Sequence, residues 1–258
     1  MTTLSPRFPL SDVVPVDALA YPALTVLRVL EPYLSPERHA RIEAVVAART
    51  FSVVPVLEGL VDAGNVNAVL RSAEGLGYGV AHLVALDGGA ARLTEAILDP
   101  QLDPDEALAG SRRVAARASQ GADKWVELAA YDDPVAYAES VRQLGYSVAV
   151  TALRPDAQPI DTWDFSQPTA LVVGNEQSGV SEALLDVADA ALLLPLDGFV
   201  QSYNVSVAAA LALYHARADR MARLGHHADL SEEEKTILKA HYVARAVPHA
   251  AALLRHAG

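Results

Sequence analysis

The 258-residue sequence contains no cysteine. Disulfide frameworks, Cys-ligated zinc sites and iron–sulfur clusters are therefore excluded, and nothing favours an oxidising compartment. The first residues lack a basic segment followed by a long apolar run, so we expect no signal peptide. Apolar runs elsewhere are broken by charge or glycine before they reach the roughly 18 residues that a membrane helix needs. We expect a cytoplasmic protein that does not associate with membranes.

Basic residues are also scarce, since 20 Lys and Arg stand against 32 Asp and Glu, and the formal net charge is -12. This balance argues against a broad basic surface for nucleic acid, because affinity for RNA rests largely on cations that neutralise phosphates. A short basic strip at an active site remains compatible with an acidic protein. The histidines, including His226 and His227, show no spacing typical of metal ligands. We therefore expect no metal site and predict that the histidines lie at the surface.

Short apolar segments alternate with amphipathic ones along most of the chain. The alternation predicts strands at residues 53–57, 82–86, 125–129, 147–153, 170–174 and 191–196, and helices at residues 36–49, 66–76 and 134–144. Because the strands are apolar throughout, we predict an α/β fold with a mostly parallel sheet and helices on both faces. Residues 99–124 are polar and predict a loop or insertion followed by a short helix. Residues 231–258 predict one or two helices, interrupted near Pro248.

Three polar stretches stand where a buried strand ends or a helix begins. The first includes Asn65 and Arg71 at the start of a predicted helix. On this pattern alone, Asn65 could be an N-cap and Arg71 a solvated charge. The second, residues 173–180, has the sequence V-G-N-E-Q-S-G-V and follows a strand directly. A glycine-bounded turn at such a place exposes backbone N–H groups to a ligand, although it could also be a plain connection.

The third stretch, residues 194–208, has the sequence L-P-L-D-G-F-V-Q-S-Y-N-V-S-V-A and leads from a strand into a helix. Alone it could be an ordinary loop before a capped helix. Together, the three stretches resemble the motifs of the TrmH-like branch of the SPOUT methyltransferases: an Asn-to-Arg helix, a G-x-E-x-x-G turn and a P-x-x-G…S-x-N-V-S loop. The resemblance extends from about His39 to Arg223.

This resemblance implies AdoMet-dependent 2'-O-methylation of a ribose in structured RNA, with a tRNA D-loop guanosine as the expected target. It also implies a deep trefoil knot in the C-terminal part of the sheet and a homodimer. The corresponding domain boundaries are an N-terminal extension and helix at 1–50, a SPOUT methyltransferase domain at 51–224 and a C-terminal helical extension at 225–258. An rRNA 2'-O-methyltransferase and a catalytically inactive AdoMet-binding or RNA-binding knotted protein are the alternatives.

The motif positions also imply which residues form the site. The AdoMet pocket is expected to be lined by Thr151, Gly174, Leu194, Leu196, Gly198 and Tyr203. The expected catalytic residues are Arg71, Asn65, Glu176, Ser202 and Asn204. Arg71 matches the arginine that the family uses to activate the 2'-hydroxyl, but a guanidinium is almost never deprotonated. It could instead bind a phosphate or stabilise the developing oxyanion.

Arginines outside the motifs are further candidates for contacts with RNA. We predict RNA contacts for Arg71 and for Arg112, Arg113 and Arg117, although the last three could equally form a solvated helix face. A second set, Arg217, Arg220 and Arg223, recurs at spacing three and is predicted to be a solvated face. The sequence departs from the family at Tyr203, where other members usually have leucine, so the wall of the pocket is expected to differ there.

Overall fold

The computed structural model describes residues 4–60, 62–85 and 124–257. In chain order, the first elements are β1 (Val13–Val16), β2 (Leu19–Pro22), α1 (Ala23–Leu30), α2 (Pro36–Ala47), β3 (Val53–Glu58), α3 (Ala63–Leu76), β4 (Val80–Val84), β5 (Glu127–Tyr131) and α4 (Pro134–Gln143). The later elements are β6 (Ser147–Thr151), β7 (Gln158–Pro159), β8 (Thr169–Val173), α5 (Glu182–Val187), β9 (Ala190–Leu193), α6 (Val205–Leu224), α7 (Glu232–Ala246) and α8 (Ala250–Ala257). The chain divides into two units, Phe51–His227 and Met1–Thr50 with Ala228–Gly258.

The unit Phe51–His227 contains a parallel sheet of seven described strands in the order β5-β4-β3-β8-β6-β9-β7. Every residue of β3, β4 and β8 is buried, which explains why these strands are apolar almost throughout. The predicted α/β class is therefore confirmed. The strand order is compatible with the predicted trefoil knot, which stays a prediction.

Helix α3 begins and ends at clear sequence signals. The side chain of Asp62 accepts a hydrogen bond from the Asn65 backbone N–H at 2.7 Å, so Asp62 is the N-cap. Asn65 therefore lies inside the first turn, and the interpretation of Asn65 as an N-cap is wrong. At the other end, Gly77 has a left-handed φ of 94° that favours glycine. Helix α3 packs against α6 over the apolar side chains of Val66, Val69 and Leu70 and their neighbours.

The unit formed by the two ends of the chain has a different architecture. An antiparallel hairpin of β1 and β2 precedes α1 and α2, and α7 packs against both helices. Ser35 caps α2, while Ser231 and Glu234 form a capping box at the start of α7. Helices α7 and α8 are separated around Pro248, as the sequence predicts. In the described ranges, no helix is long and apolar enough to cross a membrane.

The prediction of surface histidines is wrong for His82, His227 and His241, which are 6%, 5% and 5% exposed. His82 lies in β4, a strand in which every residue is buried. Its Nδ1 is 3.2 Å from the Tyr137 hydroxyl, and burial lowers the pKa of His82 to about 4. A histidine in a continuously apolar strand therefore indicates a buried neutral imidazole.

The prediction of a solvated face for Arg217, Arg220 and Arg223 also fails at its central residue. Arg220 is 2% exposed and donates hydrogen bonds to the carbonyl oxygens of Phe165 and His227. These two bonds offset part of the cost of burying the guanidinium. A spacing of three residues along the long helix α6 therefore does not keep all three arginines on its solvent-facing side.

Candidate functional site

The carboxyl ends of β6, β8 and β9 meet at one edge of the sheet, because β6 lies between β8 and β9. The segments that follow these strands surround a cavity of about 690 Å³. Its wall consists of residues 151–154, 173–180, 182, 185, 192, 194, 196, 201–203, 205 and 208. This volume lies within the range of small-molecule and cofactor pockets. Ligands of open α/β sheets typically bind at such an edge.

Most of the predicted pocket residues lie in this wall. The cavity is lined by Thr151, Gly174, Leu194, Leu196 and Tyr203 from the predicted cofactor set and by Glu176 and Ser202 from the predicted catalytic set. Gly198 is not among the lining residues, and both it and its neighbour Phe199 are exposed. The predicted residues thus gather around one cavity, and their binding of AdoMet stays a prediction.

The 174–181 loop forms one wall and is closely packed. The backbones of Asn175 and Gly179 exchange two hydrogen bonds, at 3.0 and 2.8 Å. A Cβ atom on Gly174 would lie 2.2 Å from the carbonyl carbon of Gly179 and from the nitrogen of Val180. No side chain fits in that space, so glycine at position 174 is a requirement of this turn.

A chain of hydrogen bonds connects this loop to the start of α3 and the start of α6. The Asn65 Nδ2 donates to Glu176 Oε1 at 2.5 Å, and the Asn204 Nδ2 donates to Asn65 Oδ1 at 3.4 Å. Asn204 is also the N-cap of α6, where its Oδ1 accepts from the Ser206 N–H. Glu176 and Asn204 lie 111 and 139 positions from Asn65 in the sequence, and the fold brings the three residues together. Polar groups of all three motifs meet here.

Arg71 lies two turns further along α3 than this chain of hydrogen bonds. Its side chain is exposed, and it forms no hydrogen bond or ion pair with the described part of the protein. The guanidinium is therefore available to a ligand. Arg112, Arg113 and Arg117, the other predicted RNA contacts, lie outside the described residues.

Two residues that hold the 174–181 loop, Asn175 and Glu58, are absent from the residues predicted from the sequence. Asn175 donates from Nδ2 to the Gly59 carbonyl oxygen at 2.9 Å, and its Oδ1 accepts from the Gln177 N–H at 2.8 Å. Glu58, which is fully buried, accepts hydrogen bonds from Ser181. An acidic residue at the end of the apolar strand V-V-P-V-L-E was a signal that could have identified Glu58.

The charged groups of the cavity wall are Arg154, Glu176 and Glu182, within the ranges that the structure describes. Arg154 hydrogen-bonds Asp156 through Nε at 3.0 Å, and this bond lowers the pKa of Asp156 and raises that of Arg154. Its Nη1 is also 3.9 Å from Glu182. Two carboxylates and one guanidinium give the described wall a formal charge of -1, which suits a ligand with a positive charge.

A group of side chains in the other unit bears on the prediction of no metal site. Glu31, His39 and Glu43 place possible ligand atoms within 4.8 Å of one another, although the spacing of these residues in the sequence is not typical of metal ligands. The Lys239 ammonium contacts both carboxylates, and these contacts and hydrogen bonds outweigh burial and raise the pKa of Lys239. Lys239 therefore supplies the positive charge between these carboxylates.

Comparisons with known proteins agree with this geometry. The model of the SpoU rRNA Methylase family matches residues 101–214. A tRNA (guanosine(18)-2'-O)-methyltransferase of Thermus thermophilus is 34% identical over 184 residues, which are 71% of this chain and 84% of that relative. The crystal structure of the A. aeolicus TrmH/SpoU tRNA modifying enzyme has a TM-score of 0.63 at 26% identity and covers 81% of this chain and 95% of its own.

A further solved structure shows the fold alone. The SpoU methyltransferase AviRb from Streptomyces viridochromogenes, in complex with the cofactor AdoMet, has a TM-score of 0.51 at 24% identity. It covers 66% of this chain and 60% of its own. The sheet and its surrounding helices are thus an arrangement found in solved SpoU proteins.

Proposed function

This chain belongs to the SpoU methylase family, and from that premise we propose that it transfers the methyl group of AdoMet to the ribose 2'-hydroxyl of guanosine 18 in the D-loop of tRNA. The observation that carries the proposal is the junction of Asn65, Glu176 and Asn204 beside the cavity. It joins the three motifs of the sequence, and it does so between a pocket and the helix that carries the exposed Arg71.

The cavity fits AdoMet in size and in chemistry. Apolar side chains such as Leu192, Leu194 and Ala208 offer a surface for the adenine ring, while the 174–181 loop offers backbone polar groups. The charge of the described wall complements the net positive charge of AdoMet. When bound, AdoMet supplies a methyl group that is already activated by its sulfonium, so we propose that the chemistry needs no metal ion.

Asn65 and Glu176 have orienting roles in this proposal. The Glu176 carboxylate accepts from the Asn65 amide and so fixes which way that amide points. The Asn65 carbonyl oxygen then faces the Asn204 amide. We expect this chain, with Ser202 in the cavity wall, to position the ribose so that its 2'-hydroxyl faces the methyl group.

Arg71 carries the proposed charge stabilisation. A guanidinium keeps its proton, so the proton of the 2'-hydroxyl passes to solvent water as the C–O bond forms and the S–C bond of AdoMet breaks. Arg71 favours this step by stabilising the developing oxyanion, and its planar group also suits a neighbouring phosphate. Arg112, Arg113 and Arg117 are proposed to contact further phosphates. The cytoplasm, where the tRNA substrate is found, is the proposed location.

A second copy of the chain is the proposed protein partner. One side of α6 exposes the apolar residues Val207, Leu211, Tyr214, Met221 and Leu224, at 47%, 43%, 61%, 41% and 39%. Their spacing of three, four and seven residues places them along one stripe of the helix. Such an exposed apolar stripe on a helix fits a homodimer, for which we expect a solution mass of twice 27.3 kDa.

The decisive experiment offers purified protein and labelled AdoMet to unmodified tRNA. We expect methyl transfer to a transcript with a normal guanosine 18 and none to the same transcript with a 2'-deoxyribose at that nucleotide. Transfer to ribosomal RNA fragments instead would replace tRNA by the rRNA alternative. Binding of AdoMet without transfer to either RNA would favour the inactive alternative.

Arg71→Ala tests the assignment of roles in the same assay. We expect methyl transfer to fall by about 100-fold or more, as when a group that stabilises an oxyanion is removed. The affinity for S-adenosylhomocysteine should stay within about twofold, because Arg71 is not in the cavity wall. Arg41→Ala, which removes an exposed arginine from α2, is the control for loss of charge. Loss of S-adenosylhomocysteine binding in Arg71→Ala would contradict the assigned role.

A further inference from the structure

The carboxyl group of Glu58 is an unusual feature of the sheet. Glu58 is the last residue of β3 and is completely buried. Burial of a carboxylate is costly unless hydrogen bonds or an ion pair compensate it, and no ion pair of Glu58 occurs in the described ranges. A methionine or leucine would fill the end of this strand without that cost. The retained carboxylate therefore needs a reason other than packing.

Both oxygens of Glu58 are used by one residue of the 174–181 loop. Oε2 accepts from the Ser181 backbone N–H at 2.8 Å, and Oε1 accepts from the Ser181 hydroxyl at 2.5 Å. Ser181 is also the N-cap of α5, where its Oγ accepts from the Leu184 N–H at 3.3 Å. One contact with β3 thus holds the end of the loop and the start of the helix.

The beginning of the 174–181 loop is held by Gly59, the residue that follows Glu58. The Asn175 Nδ2 donates to the carbonyl oxygen of Gly59, which follows Glu58 directly. Between these two attachments lie residues 176–180, which form part of the cavity wall. Among them, Glu176 accepts the hydrogen bond from Asn65. The loop is therefore fixed at its first and last turns to the end of β3.

We propose that Glu58 is a positioning residue of the methyl-transfer site. By holding Ser181 it fixes the 174–181 loop in the place where the loop forms the cofactor pocket and where Glu176 orients Asn65. Glu58 touches neither the cavity nor Asn65 itself, so it acts through the loop. This inference rests on the proposed function, because the ligand of the pocket is taken to be AdoMet.

The test measures the affinity for S-adenosylhomocysteine by calorimetry in variants of Ser181. We expect Ser181→Ala to weaken binding about tenfold, which matches the loss of one hydrogen bond to a charged group. Ser181→Thr keeps a hydroxyl and should stay within about twofold of the native chain. Ser35→Ala is the matched control, because it removes the serine N-cap of α2 in the other unit. It should lower the melting temperature as Ser181→Ala does and leave the affinity unchanged.

A double-mutant cycle with Glu58→Gln connects the effect to the carboxylate. Glutamine keeps the size of the side chain but replaces one acceptor oxygen by a donor. In that background, Ser181→Ala should cost at most about threefold in affinity, because the charged partner is already gone. Equal affinities in Ser181→Ala and Ser35→Ala, or an undiminished effect of Ser181→Ala in the Glu58→Gln background, would overturn the inference. Failure of the native chain to bind S-adenosylhomocysteine would instead refute the proposed function, and this inference with it.

Discussion

The two loops that line the cavity are held in place by different means. The 174–181 loop has a backbone pair of its own and hydrogen bonds to Glu58, Gly59 and Asn65. In the part of the chain that the structure describes, the side chains of the 194–204 loop make one hydrogen bond within the loop, from Tyr203 to Pro195. At its end, Asn204 accepts hydrogen bonds from Ser206 and donates a long one to Asn65. Its tip, with Phe199 and Val200, is exposed.

The two loops should therefore contribute differently to the affinity for a ligand. A wall that is fixed before the ligand arrives loses no conformational freedom on binding, so its contacts count in full toward affinity. A loop with few internal hydrogen bonds loses conformational freedom when a ligand orders it. The free-energy cost of this ordering reduces the affinity that the contacts of the loop provide. Substitutions in the first loop should therefore change the shape of the pocket, whereas substitutions in the second should change how readily the loop becomes ordered.

The sharpest comparison of the two loops uses alanine in place of one glycine from each. In Gly174→Ala the new methyl group would meet the backbone of Gly179 and Val180 at 2.2 Å, and backbone cannot move aside cheaply. We expect the affinity for S-adenosylhomocysteine, measured by calorimetry, to fall by about 100-fold or more. In Gly198→Ala the nearest atom is Val200 Cγ2 at 4.0 Å, so we expect the affinity to stay within about twofold.

Circular dichroism and the melting temperature separate a local effect from loss of the fold in Gly174→Ala. A variant that folds like the native chain but does not bind the ligand supports a preformed wall. The comparison between the loops breaks down if the two alanine variants bind equally well.

The sheet and the outline of this site follow from the sequence for physical reasons. Strands such as β3 and β8 are apolar in every position but one or two because helices cover both faces, so their existence and approximate limits are visible in the residues themselves. The resemblance to the family then identified the residues that meet at the cavity. The order of the strands, by contrast, depends on contacts between distant segments that no local pattern encodes.

Other features had no local signal, or a misleading one. The hairpin of β1 and β2 is short and contains Pro15 and Pro22, so it lacks the regular alternation of a half-buried strand. Arginine usually lies at the surface, yet Arg220 is buried and donates hydrogen bonds to two carbonyl oxygens in the interior. The partner of Glu58 is Ser181, 123 positions away, and only the fold brings them together.

The exposed tip of the 194–204 loop makes a second difference between the loops measurable. Chymotrypsin cuts after aromatic residues in exposed loops that can adapt to its active site. We expect native protein to be cut first after Phe199, and S-adenosylhomocysteine at ten times its Kd to slow that cut by about tenfold. Mass spectrometry of the fragments identifies the site.

The control for this experiment is Phe199→Ala, which removes the preferred residue without filling space in the cavity wall. Cutting at this place should then become much slower, while cuts elsewhere keep their rates. A native loop that the protease does not cut after Phe199, or a cut that the ligand does not slow, would contradict the expected freedom of the 194–204 loop.

The smallest effect is expected for the hydroxyl of Tyr203. It donates to the Pro195 carbonyl oxygen at 2.9 Å and so joins the two ends of the 194–204 loop. Tyr203→Phe removes this bond and keeps the ring in the cavity wall. Because the loop must order itself in any case, and a neutral hydrogen bond contributes about 1 kcal/mol or less at a partly exposed site, we expect the affinity for S-adenosylhomocysteine to fall only about threefold. In Tyr203→Leu the affinity should fall by the same factor if only the hydroxyl contributes, and by a larger factor if the ring itself packs on the ligand. A loss of tenfold or more in Tyr203→Phe would mean that this one bond fixes the loop as firmly as several bonds fix the 174–181 loop, and the contrast between the two walls would disappear.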